Sequence, residues 1–71
     1  MKNYICLIRG NVFSKTLLLP YRDALRAAEE HGEHRDGETV TVFDKEGRPV
    51  SCALYVGEEH RYIRIQPPDR G

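Results

Sequence analysis

Residues 38–66 read ETVTVFDKEGRPVSCALYVGEEHRYIRIQ, and this stretch constrains the chain more than any other. It divides into three runs, Thr39 to Asp44, Arg48 to Val56 and His60 to Gln66. Each is biased toward β-branched and aromatic residues with near two-residue alternation, the pattern of a half-buried strand. Asp44-Lys45-Glu46-Gly47 separates the first two runs, and a Gly there supplies the left-handed residue of a type I turn with a bulge. Gly57-Glu58-Glu59 separates the second and third. The expected product is an antiparallel meander.

Alternation divides the meander into two faces. One is expected to carry Val40, Val42, Val50, Cys52, Leu54, Val56, Ile63 and Ile65, a uniformly apolar set that belongs in the core against a helix. The other is expected to carry Thr39, Thr41, Phe43, Ser51, Ala53, Tyr55, Tyr62, Arg64 and Gln66. That mixed set suits a solvated sheet face with cross-strand Tyr pairs. It equally suits a binding surface, because Tyr and Arg are enriched where proteins grip partners.

The segments before the meander supply its cover. Tyr4 to Ile8 reads as a first strand with both faces apolar, a pattern that normally means cover on both sides, by a neighbouring segment or by a second chain. Thr16 to Leu19 ends in three leucines, enough for a short edge strand or a cap over the open face. A helix is expected from about Pro20, at its first position, to His31. Tyr21, Ala24, Leu25 and Ala28 share one face of it at i, i+3, i+4, i+7, and Gly32 stands where a left-handed cap residue belongs. The charged loop Glu33 to Gly37 is expected to be mobile. The fold class is therefore α+β in two layers, one helix packed on one face of an antiparallel sheet, in the order β-α-β-β-β with an optional short strand before the helix.

Seventy-one residues make a single domain, 1–71, with 67–71 read as a flexible tail. A chain of this size has a modest core, which favours a module working through its surface over an enzyme with a deep cavity. Eleven Lys and Arg balance eleven Asp and Glu, so the generic pull of a basic domain toward nucleic acid is absent. No apolar run reaches the length of a membrane span, and the N-terminus lacks the apolar core and cleavage site of a signal peptide, so the expected location is the cytoplasm. Cys6 and Cys52 fall inside strand-like runs and read as free buried thiols, with a disulfide between them as the alternative.

Chemistry-bearing constellations are sparse. His31, His34 and His60 are not spaced to hold a metal, and their plain reading is as surface side chains, His31 being favourable at a helix C-terminus. Ser14 and Ser51 lie in no nucleophile elbow, and Gly10 opens no phosphate-binding loop. No enzyme activity, cofactor or metal is expected. The basic residues are more suggestive. Arg61, Tyr62 and Arg64 share the last run, Arg48 flanks the first turn, and Tyr55 lies one strand away. These five form the expected partner-binding set, since Tyr and Arg dominate interface hot spots. A stacking platform for single-stranded nucleic acid is the secondary reading of the same residues.

The layout of TLLLPYRDALRAAEEHG followed by GETVTVFDKEGRPVSCALYV and HRYIRI resembles small phage-encoded type I anti-CRISPR proteins built from a strand, a helix and an antiparallel meander. That resemblance spans most of the chain as a layout. It implies a non-catalytic protein that docks on a subunit of a CRISPR–Cas surveillance complex in the host cytoplasm and blocks target DNA binding. A homodimeric protein remains an open alternative.

Overall fold

The computed structural model describes residues 2–67, so most of the tail proposed at 67–71 lies outside the described residues. Five strands are arranged antiparallel in the order β2-β1-β3-β4-β5: β1 Tyr4–Arg9, β2 Ser14–Leu19, β3 Thr39–Phe43, β4 Pro49–Val56 and β5 Arg61–Ile65. One helix, α1 Ala24–His31, packs on one face against β1, β3, β4 and β5. The chain is thus α+β in two layers, and the optional strand is real: β2 pairs with β1 and forms one sheet edge. Among the described residues no helix is long and apolar enough to cross a membrane.

The helix starts later than the expected Pro20. The Asp23 carboxylate accepts from the Leu25 N–H at 3.1 Å, and the Asp23 carbonyl accepts from the Ala27 N–H, also at 3.1 Å. An Asp that satisfies first-turn donors is a strong N-cap and outweighs the preference of Pro for the first position. Buried Ala24, Ala27 and Ala28 form the contact stripe, of which the spacing had missed Ala27. Gly32 is not left-handed: its φ of −74° and ψ of 161° are extended, and its N–H donates to the Ala28 carbonyl at 2.8 Å. Its need for Gly is steric, because a Cβ there would run into the Tyr62 hydroxyl. Gly47 does adopt a positive φ of 81°, in the tight turn where its N–H donates to the Asp44 carbonyl.

The largest departure from expectation is the register between β3 and β4. Val40 pairs with Ala53, Val42 with Ser51 and Phe43 with Pro49, leaving Val50 as the extra residue of a bulge. The apolar positions of β3 therefore face the helix together with Ser51, Ala53 and Tyr55 of β4 and Tyr62 of β5, not with Cys52, Leu54, Ile63 and Ile65. A one-residue slip moves a whole strand's side chains to the opposite face. The core consists of Cys6, Ile8, Leu19, Val40, Val42, Ala53, Tyr55 and Tyr62 beneath the alanines of α1. Three alanines let the helix approach closely, and the broad rings of Tyr55 and Tyr62 fill the space that aliphatic residues were expected to fill. Leu54 and Ile63, expected under the helix, stand half-buried on the other side.

Candidate docking face

The Tyr and Arg residues picked from the sequence do not form an open surface. Tyr55 and Tyr62 are 8% and 6% exposed and pack edge to face beneath the helix, their ring centroids 4.9 Å apart. Burial has a polar cost, which Glu38 meets. Its side chain is fully buried; the Tyr62 hydroxyl donates to its Oε1, and the Glu33 N–H donates to its Oε2 at 2.9 Å. The Tyr62 oxygen in turn accepts from the His34 N–H at 3.0 Å, and the His34 ring rests edge-on against both tyrosines. Burial, and then the hydrogen bond to the Glu38 carboxylate, push the Tyr62 phenol well above its ordinary pKa. This closed network also fastens the Glu33 to Gly37 segment that was expected to be mobile. His34 takes a φ of 61° there, and Asp36 accepts from the Gly57 N–H at 2.8 Å.

The arginines are likewise engaged or peripheral. Arg64 lies at the helix-side rim of β5 and bonds Asp23 at 2.8 Å, adding to the cap. Burial opposes the charge of Asp23, but Arg64, the Leu25 N–H and Ser51 outweigh it and hold its pKa below the usual carboxylate value. Arg61 pairs with Glu59 at 2.6 Å, next to the β4–β5 turn. Arg48 is exposed in the β3–β4 turn, where its backbone N–H donates to Asp44 at 2.9 Å. Tyr55 and Tyr62 are brought together, but as core. Cys6 and Cys52 lie on opposite faces as free thiols; burial pushes the Cys6 thiol up to about 11. Among the described residues no three His, Cys, Asp or Glu side chains gather as a metal site.

The face left uncovered is the one that reading of the sequence filled with core residues. Pairing aligns its side chains in rows across the strands. The middle row runs Thr16, Leu7, Thr41, Cys52, Ile65. One flanking row runs Leu18, Ile5, Phe43, Pro49, and the other runs Arg9, Thr39, Leu54, Ile63. At the centre of the middle row Thr41 and Cys52 are small and low, 8% and 3% exposed, with Thr41 Oγ1 and Cys52 Sγ 3.2 Å apart. Phe43 and Pro49 line that row on one side and Arg9 and Thr39 on the other. The result is a trough across the strands with a volume of about 520 Å³, with Arg9 at one rim and Gln66 at its β5 end. The surface is apolar apart from the Arg9 guanidinium, Gln66 and the Thr39 and Thr41 hydroxyls, and the buried Cys52 thiol on its floor meets the Thr41 hydroxyl, with no His, Asp or Glu among the described lining residues. Such a surface can bind apolar groups. An antiparallel sheet normally turns a polar face to water, so this one is out of pattern.

Two sequence signals pointed to this face. The strand now seen as β1 has an apolar residue at every position from Tyr4 to Ile8, and Pro49 follows a Gly-containing turn at the point where the register shifts. A comparison of the chain with protein-family models, curated proteins and solved structures finds no match.

Proposed function

We propose that this protein is a small, non-enzymatic protein-binding module that docks through the open sheet face. The observation carrying this reading is a sheet face bearing Ile5, Leu7, Phe43, Leu54, Ile63 and Ile65 with no element of the described chain laid over it. Apolar surface of that extent tends to mark an interaction site, and burying it on a partner is the main favourable term in association. The layout resemblance gives the reading its specific form: an inhibitor that occupies a subunit of a CRISPR–Cas surveillance complex and keeps it from target DNA. Docking is then through Leu7 and Ile65 rather than through Tyr55 and Tyr62.

Expression in cells with an active type I system tests that form. Loss of interference that Ile65→Glu restores, with the variant still folded, is the expected result. Normal interference in cells making the wild-type protein removes the inhibitor reading. The second reading, a single-stranded nucleic-acid-binding accessory domain, has to rest on Phe43 and Arg9 of the open face, since both tyrosines are core. A salt-dependent affinity for oligonucleotides that Arg9→Glu abolishes would favour it.

A further inference from the structure

We infer that the trough receives an amphipathic α-helix of a protein partner, laid across the strands, with an Asp or Glu of that helix paired to Arg9. The inference rests on the docking reading above and names what docks. Its first support is shape. Thr39 and Phe43 line its two sides on β3, four residues apart, which sets the rims about 13 Å apart at strand spacing. An α-helix with its side chains is about 10–12 Å across. The floor from Leu7 to Ile65 crosses four strands, roughly 15 Å, the length of about ten helical residues.

The second support comes from the other face. There α1 already runs against β1, β3, β4 and β5, seated on the small side chain of Ala53 with its own alanines. The sheet therefore accepts a helix where its central side chains are small, there running along β4 from Ser51, whose Oγ accepts the Ala24 N–H, toward Tyr62 beside Gly32. Thr41 and Cys52 provide the same relief on the open side, and they are the direct cross-strand partners of one another.

Charge selects the occupant. Arg9 is exposed and is the one charged side chain among the described residues lining the trough; it makes no ion pair among them. Arg61 and Arg64 nearby in β5 are already matched by Glu59 and Asp23. The three rows carry no carboxylate, so a second copy set face to face leaves both Arg9 guanidinium groups without a partner. A small apolar ligand gains little from an open trough, because small-molecule sites bury most of the ligand surface. A helix with a Leu stripe and a carboxylate beside it meets both the shape and the charge.

The probes are two designed amphipathic helical peptides of about 18 residues, identical except for Glu or Lys beside the Leu stripe. Each is titrated into the isotope-labelled full chain, with methyl and amide NMR shifts as the readout. Shifts centred on Leu7, Thr41, Cys52 and Ile65, with the Glu peptide binding about fivefold more tightly, are expected. Arg9→Glu, an exposed change that leaves the core alone, is expected to invert the preference. Equal binding of the two peptides, shifts on the helix side, or no binding overturns the helical, acidic occupant. Concentration-dependent self-association through the same residues also overturns it, in favour of a second copy. Restoration of interference by Ile65→Glu would leave the docking reading standing in any of these cases.

Discussion

The two faces of this sheet carry comparable amounts of apolar side chain but are finished differently. On the helix side Ile8, Val40 and Val42 are fully buried, and the polar groups that come with Tyr55 and Tyr62 are tied to a buried Glu38. On the open side Leu7, Leu54 and Ile65 are only half-buried, and among the trough residues the charge of Arg9 has no partner. The difference teaches that apolar alternation reports that a face gets covered, not what covers it. One face is completed within the described chain and holds the fold; over the other no described element is laid, which is the opening that the proposed docking would fill.

Neighbouring residues on β1 give the sharpest way to break this contrast. Ile8→Ala removes a fully buried side chain and is expected to cost about 2–5 kcal/mol. Leu7→Ala on the opposite face is expected to cost about 1 kcal/mol, since much of its surface already meets water. Urea unfolding of the pair measures both, and equal costs would erase the distinction between the faces.

The Glu38 network comes next. Tyr62→Phe removes the hydroxyl that Glu38 accepts from and that His34 donates to, at an expected cost of about 1–3 kcal/mol. The folded pKa of Tyr62 is raised above the ordinary 10.0, so its contribution is whole below that pH and is lost as pH rises through the folded value. The stability gap between wild type and Tyr62→Phe should therefore narrow in alkaline titration above pH 10.0. A gap constant into that range would mean that the hydroxyl is not buried against a carboxylate.

A smaller effect is expected at the helix start. Asp23→Ala removes the N-cap and the partner of Arg64, with an expected loss of about 0.5–2 kcal/mol at neutral pH. The folded pKa of Asp23 lies below 3.8, so this contribution is present above pH 3.8 and disappears as pH falls through the folded value. Thermal unfolding of both proteins from neutral to acid pH should show the two curves converging. Smallest of all, Leu18→Ser on the open side of β2, where Leu18 is 69% exposed, should shift stability by less than about 0.5 kcal/mol.

Much of the architecture was readable from local chemistry. Alternation found the meander, the Asp44 to Gly47 turn required a positive φ at Gly47, and Ala24 with Ala28 marked the face of the helix that packs. Register was not readable in the same way. Aligning Val40 and Val42 with Cys52 and Leu54 looked best on hydropathy alone. The bulge at Val50 shifts β4 by one residue, and β4 is apolar enough on both sides to accept either setting. Glu38 was overlooked because a carboxylate beside a charged loop reads as solvated; its burial follows only once Tyr62 lies beneath the helix. The candidate site moved with the register. Tyr55, Tyr62 and Arg64 have the residue types of a hot spot but sit at positions that the helix and its cap already use.

The most direct measurement of the division between faces is solvent paramagnetic relaxation enhancement of side-chain resonances, using a soluble gadolinium chelate on the isolated chain. Strong broadening of the Leu7, Leu54, Ile63 and Ile65 methyls is expected, with protection of Ile8, Val40, Val42 and the rings of Tyr55 and Tyr62. Broadened tyrosine rings with protected Leu54 and Ile63 methyls would contradict it, placing the helix on the other face and the free surface back at Tyr55, Tyr62 and Arg64.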